Sequence, residues 1–162
     1  VAGADGMPRR LLCDRMLIRL GRWLRAAGHD TAIAAHHEDD ATLVRRAHAE
    51  QRLLLTCDRR IVSELAPRDR RVLLMSTGRP ADAATELSQR LGLDWLEAPF
   101  TRCLLDNTEL HPADTHQLAR LPPAIRHTSE PVWYCPTCGR LYWQGSHVRR
   151  MRRRLEQLQS QR

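Results

Sequence analysis

The chain has 162 residues, room for one α/β domain of ordinary size and a small appendage, and no window approaches the roughly 20 apolar residues of a membrane span. Its opening, VAGADGMPRR, lacks the apolar core of a secretory leader, so a cytoplasmic location is expected and the five cysteines are expected as thiols or metal ligands rather than disulfides. The formal charge is +7 with arginine as every one of the 26 basic residues, which favours a polyanionic partner, although absent lysine also follows from base composition alone.

Residues 1–8 read as a flexible lead-in, with two glycines, a proline and no periodicity. The apolar run Leu11-Leu12-Cys13 then predicts a short buried strand, and Asp14 follows at once. Behind it Leu17, Leu20, Leu24 and Ala27 fall on one side of a helix and Arg15, Arg19, Arg22 and Arg25 on another, until Gly28 supplies a left-handed stop. Two readings of this stretch stand side by side. Asp14 is a helix cap with a solvated arginine face beside it, or a functional carboxylate beside a row of phosphate-binding guanidinium groups.

Thr31–Ala35 predicts a second strand, and a helix over residues 41–50 carries Leu43, Val44 and Ala47 as its apolar stripe. Leu53–Thr56 is the clearest strand, with Asp58 just past its end and a short helix near Arg60–Leu65. Val72–Ser76 adds a strand, Pro80–Leu91 a helix with proline in its first turn, and Leu93–Leu96 an edge strand. Strands alternating with helices at these lengths predict a parallel α/β sheet, whose ligands bind at the carboxyl ends of the strands. Asp14 and Asp58 end two strands, and Asp40 opens the helix after the strand between them. Three carboxylates over one edge repel one another unless a cation intervenes. Mg²⁺ or Mn²⁺ would answer that repulsion and can activate water against a phosphodiester. Asp40 as an N-cap, Asp58 as a turn residue and Asp39 in place of Asp40 are the alternatives.

A change of character near Ala98 marks a boundary. Beyond it stand Cys103-Leu-Leu-Asp106 and Cys135-Pro-Thr-Cys138-Gly. The second is a knuckle that aims two thiolates at one ion, with glycine allowing the tight turn. Cys103, Asp106, Cys135 and Cys138 are therefore expected to hold Zn²⁺, with His111, His116 or His147 as alternative fourth ligands. The intervening Leu110–Pro131 reads as an irregular loop, and Trp133, Tyr134, Tyr142 and Trp143 as the module's small core or, where exposed, as a surface for stacking unpaired bases. Cys13 and Cys57 read as small buried residues. From Arg140 to the end there are seven arginines against one glutamate, either a solvated helix face or a handle on nucleic acid. The chain has no GxSxG, P-loop or GxGxxG motif, so serine-hydrolase, nucleotide-triphosphatase and dinucleotide-binding readings lack support.

The succession CDRMLIRLGRWLRAAGHDT, DDATLVRRA, QRLLLTCDRR, FTRCLLDNTEL and YCPTCGRLYWQGSHVRRM resembles the Mut-seven C-terminal RNase domain, a PIN-like nuclease fold fused to a zinc ribbon. The resemblance covers about Leu11 to Met151, and the organisation expected is a PIN-like domain over residues 9–98, a zinc-ribbon module over 99–151 and a basic tail over 152–162. It also implies a metal-dependent ribonuclease-like site on Asp14, Asp40 and Asp58, with RNA as the partner. Arg15, Arg19 and Arg22 would contact the RNA backbone. Two departures from the pattern stand out: Asp106 replaces a usual cysteine, and Cys57 replaces a usual basic residue. A fourth acidic group is customary in such sites, for which Asp39, Glu64 and Asp82 are candidates. A non-catalytic nucleic-acid-binding or adaptor protein of the same fold is the other reading.

Overall fold

The computed structural model describes residues 10–161, so the lead-in expected over residues 1–8 lies outside the described residues. Four short strands form a wholly parallel sheet: β1 (Leu11–Cys13), β2 (Thr31–Ile33), β3 (Leu53–Thr56) and β4 (Val72–Leu74), in the order β2-β1-β3-β4. Leu11 pairs with Thr31 on one side and Leu53 on the other, so the first three strands start in register. Helices α1 (Ile18–Ala26), α2 (Asp40–Ala49) and α3 (Pro80–Leu91) return the chain between strands or leave the last one.

Strand alternation divides the core in two. Leu11, Cys13 and Leu55 face α1 and α3, while Leu12 and Leu54 face Leu43 and Ala47 of α2. Sheets covered on both faces favour continuous apolar strands, which explains why LLC and LLLT carry no alternation of polarity. Gly28 takes φ +97° after α1, and a Cβ there would stand 2.3 Å from the Ala98 carbonyl oxygen. The glycine thus ends the helix and lets the 98–100 segment lie against it, where Ala98 and Phe100 donate to the carbonyls of Ala27 and Ala26.

The second half builds a three-stranded antiparallel sheet from β5 (His111–Pro112), β6 (Trp133–Tyr134) and β7 (Leu141–Tyr142), in that order. Residues 110–131, expected to be irregular, include β5 and a one-turn helix, α4 (Thr115–Leu118). Asp114 and Gln117 close a reciprocal capping box on that turn. Residues 93–96 form no strand. Trp95 is fully buried instead, its indole N–H donating to Ser88 Oγ at 2.6 Å.

Helix α5 (Ser146–Ser160) is continuous across residue 152, where a separate tail was expected. Met151, Leu155 and Leu158, spaced i, i+4 and i+7, pack into the same core as α1 and α3. The Gln159 side chain also accepts from the Trp95 backbone N–H at 2.9 Å. The arginines of α5 lie on the remaining faces, with Arg154 over the Trp23 ring and Arg152 over Phe100 at 5.2 and 5.1 Å. The basic end of the chain is a strap across both halves. Among the described residues no helix is long and apolar enough to cross a membrane.

Candidate functional site

All four strands run the same way, so their carboxyl ends share one edge, and the loops there carry the three aspartates. Asp14 leaves β1 and is 6% exposed. Its Oδ1 accepts from the Leu17 backbone N–H at 3.2 Å, capping a short 3₁₀ turn. Its Oδ2 accepts a short hydrogen bond from the Thr56 hydroxyl and another from the Cys57 N–H at 3.1 Å. Thr56 in turn accepts from the Asp58 N–H at 2.9 Å, so one hydroxyl ties the first and third aspartates' loops together. Asp58 turns back to accept from the Arg60 N–H at 2.7 Å.

At the second strand the division of labour is clear. Asp39 caps α2 by accepting from the Thr42 N–H at 2.7 Å, which holds its carboxyl below the usual carboxylate range. That leaves Asp40 in the first helical turn, exposed and free of the capping duty. Among the other acidic candidates, Glu64 faces Arg60 at 3.6 Å and Asp82 sits in the first turn of α3. Glu86, which the sequence did not suggest, reaches the same region from α3, accepting from the Ser76 N–H past β4 and pairing with Arg90. The Cys57 thiol registers this surrounding: burial, then Asp14 and Glu86, push its pKa up. Burial, with Asp14, does the same to Cys13, and both cysteines pack in the core under α1 and α3.

The row of arginines divides. Arg15, Arg19 and Arg22 are exposed, with Arg15 donating to the His36 carbonyl at 2.7 Å. Arg25, expected on the same solvated face, is buried. Its guanidinium donates to the carbonyls of Thr31 at 2.7 Å and Leu104 at 3.0 Å, and desolvation lowers its pKa. Asn107 makes the complementary link, accepting from the Thr31 N–H at 3.0 Å and donating to Asp30 at 2.7 Å. Arg25, Asn107 and Asp30 thus bolt the two halves together, and neither periodicity nor a ligand motif pointed to them.

The cysteine module is gathered tightly. One ligand atom each from Cys103, Asp106, Cys135 and Cys138 lie within 4.8 Å of one another, the one such group of three or more metal-ligating side chains among the described residues. His111, His116 and His147 are outside it. The two knuckles are built alike: Asn107 N–H bonds the Cys103 carbonyl at 3.0 Å and Gly139 N–H the Cys135 carbonyl at 2.8 Å. Their φ angles are +73° and +70°. Asparagine is the non-glycine residue that best tolerates this left-handed turn, so LLDN can replace the usual glycine knuckle. A tetrahedral zinc-type ion with bonds of about 2.3 Å to sulfur sets neighbouring donors roughly 3.8 Å apart. Cys103 and Cys138 sulfurs are 3.7 Å apart, and Asp106 oxygens lie 3.3 and 3.4 Å from the Cys135 sulfur. Three thiols and one carboxylate therefore fit such an ion.

The crowding has an electrostatic signature. Desolvation and the adjacent Cys135, Asp106 and Cys103 push the Cys138 thiol up to about 12. Burial works against the Asp106 carboxylate, but the Thr108 N–H and hydroxyl and the nearby thiols hold it well below the usual range. Tyr142, whose hydroxyl bonds the Cys103 sulfur and the Leu104 N–H, completes the module's small core with Leu110. Of the four aromatic residues expected there, only Tyr142 belongs to that core. Tyr134 stands edge-on to His111, and Trp133 is 39% exposed.

The chain is thus an α/β protein with a parallel sheet carrying aspartates at its carboxyl edge, followed by a small antiparallel sheet with a cysteine cluster of zinc-ribbon type. The family model described as the Mut7-C RNAse domain matches residues 9–155, nearly the whole chain, and the chain belongs to that family. No curated protein and no solved structure matches it.

Proposed function

We propose that the chain hydrolyses RNA phosphodiester bonds at the aspartate edge with the help of Mg²⁺ or Mn²⁺, and that Zn²⁺ holds the ribbon. What carries this reading is that three adjacent parallel strands end in loops bearing Asp14, Asp58 and Asp40 in a member of an RNase-domain family. The carboxylates fit a hard cation of the kind that keeps most of its water and takes one or two protein oxygens. Asp14 has about one acceptor position left after three hydrogen bonds, Asp58 keeps its second oxygen, and Asp40 is exposed.

When bound, such a cation supplies an activated water and stabilises charge on the phosphate. The chain's own residues do the rest. Thr56 holds the Asp14 carboxylate oriented, and the Asp14 and Asp58 loops present carboxylate oxygens to the cation. Arg15 in the turn before α1, and Arg19 and Arg22 on it, neutralise the RNA backbone. The ribbon and the α5 arginines hold the strand. Five free thiols suit a reducing compartment, and we place the protein in the cytoplasm.

The test compares the parent with Asp14→Asn and Asp58→Asn on labelled single-stranded RNA with added Mn²⁺. Each substitution is expected to slow cleavage about 100-fold or more. Equal cleavage by all three proteins would remove the site. A second reading, a nucleic-acid-binding adaptor of the same fold, draws on the hydrogen bonds that already occupy Asp14. It requires salt-sensitive RNA binding with no metal-dependent cleavage by the parent.

A further inference from the structure

Between α1, the 104–105 turn, β7 and the start of α5 lies a cleft of about 520 Å³ that the aspartate chemistry does not use. Arg19, Arg22, Arg140 and His147 line it together with Tyr142 and Trp143, and no Asp or Glu does. Its size is that of sites for small organic ligands, roughly 300–1,000 Å³.

The arginines of this cleft differ from those that are paired elsewhere. Arg10, Arg46, Arg52, Arg60, Arg90 and Arg102 each face a carboxylate within 4 Å. Among the described residues no carboxylate pairs with Arg19, Arg22 or Arg140, and all three are exposed. Trp143 is half-buried and lines the same cleft. Guanidinium groups without a carboxylate partner beside an aromatic ring suit a ligand that is an anion at one end and a flat heterocycle at the other.

We propose that this cleft binds one unpaired nucleotide of a single strand, its phosphate met by Arg19, Arg22 and Arg140 and its base stacked on Trp143. This rests on the RNA reading above and deepens it. Arg15 lies in the 3₁₀ turn beside Asp14, and Arg19 and Arg22 follow three residues apart on the exposed side of α1. With a rise of about 1.5 Å per residue along α1, Arg19 and Arg22 lead from the end nearer the acidic edge to the cleft. The cleft fixes a nucleotide a few positions from the bond to be cut. It requires that nucleotide to be unpaired, because a base inside a duplex has no free face to stack.

The experiment measures fluorescence anisotropy of a labelled eight-nucleotide single strand, and of the same sequence as a duplex. The full zinc-loaded chain is used without added Mg²⁺ or Mn²⁺. Binding is then read whether or not the protein cleaves, so loss of the hydrolase reading would leave this result standing. Trp143→Ala is expected to weaken single-strand binding about 5- to 150-fold, with Trp143→Phe retaining most of it. Arg140→Gln is expected to reduce the salt slope of binding by about 1. Arg22→Gln, an exposed change that leaves the fold intact, should do the same. Duplex bound as tightly as single strand would overturn the proposal, as would parental affinity in both Arg140→Gln and Arg22→Gln. Equal competition by an acidic peptide would assign the cleft to a protein partner and overturn it too.

Discussion

The four donors of the cysteine module stand within 4.8 Å of one another, whereas Asp14, Asp40 and Asp58 are each set by the loop after a different strand. The contrast follows from what surrounds them. The ribbon has two-residue strands and a core of little more than Cys103, Leu110, Cys135 and Tyr142, so the proposed ion among its donors would supply much of its folding energy. The sheet has an apolar core on both faces and needs no ion to fold. A structural centre is gathered by the fold. The proposed hydrolytic edge, which would have to admit water and substrate, is instead spread over separate loops.

The largest expected effect separates the two regions outright. Cys135→Ser, or chelation of the ribbon ion, should unfold residues 99–145 and lose about one equivalent of zinc, while the parallel sheet keeps its amide protection. Hydrogen exchange read by region checks this, and uniform loss of protection in both halves would contradict it. Asp106→Cys sharpens the same point in the other direction. A fourth thiolate should raise zinc affinity at least tenfold, measured by competition with a chromophoric chelator, with no effect on the aspartate edge.

Smaller effects test how the regions are joined. Asn107→Ala removes the left-handed residue of the first knuckle and its bonds to Thr31 and Asp30. It should cost about 2–3 kcal/mol of stability in urea melts. Gly28→Ala places a Cβ 2.3 Å from the Ala98 carbonyl at φ +97°, for an expected loss of about 1–3 kcal/mol.

The smallest concerns pH. Burial works against the Asp30 carboxylate, but hydrogen bonds from Arg52, Asn107 and Arg10 bring it down to about 2. A folded pKa below the unfolded one stabilises the protein above about pH 4, and that stability is lost as pH falls toward 2. Relative to Asp30→Asn the parent should therefore gain about 1–2 kcal/mol at neutral pH, after allowance for solvent screening, and nothing near pH 2. A difference independent of pH would contradict the assignment.

The legible parts of the fold were those governed by local rules. The runs LLC and LLLT, the helix over 80–91 and the stop at Gly28 follow from apolar continuity, proline at the first turn and the left-handed glycine. The knuckle CPTCG marked a metal-type turn, with the fourth donor open between Asp106 and three histidines, and the structure gathers Asp106 with the three thiols. What stayed hidden depends on partners distant in sequence. Arg25 reads as one more solvated arginine until Leu104, 79 residues away, supplies its acceptor. Trp95 and the leucines of α5 read as an edge strand and a tail because the surface that buries them is assembled from several elements. At the acidic edge the sequence offered the aspartates but not Thr56, whose hydroxyl joins two of their loops. A threonine ending an apolar strand just before the acidic turn was the available signal.

The central claim is that the aspartate edge, and not the ribbon, receives the hydrolytic cation. Electron paramagnetic resonance of Mn²⁺ titrated into the zinc-loaded parent, Asp14→Asn and Asp58→Asn tests it without reference to turnover. The account predicts a bound Mn²⁺ signal in the parent that both substitutions weaken or abolish, with one equivalent of zinc retained in all three proteins. Identical Mn²⁺ binding by the parent and both variants would contradict it.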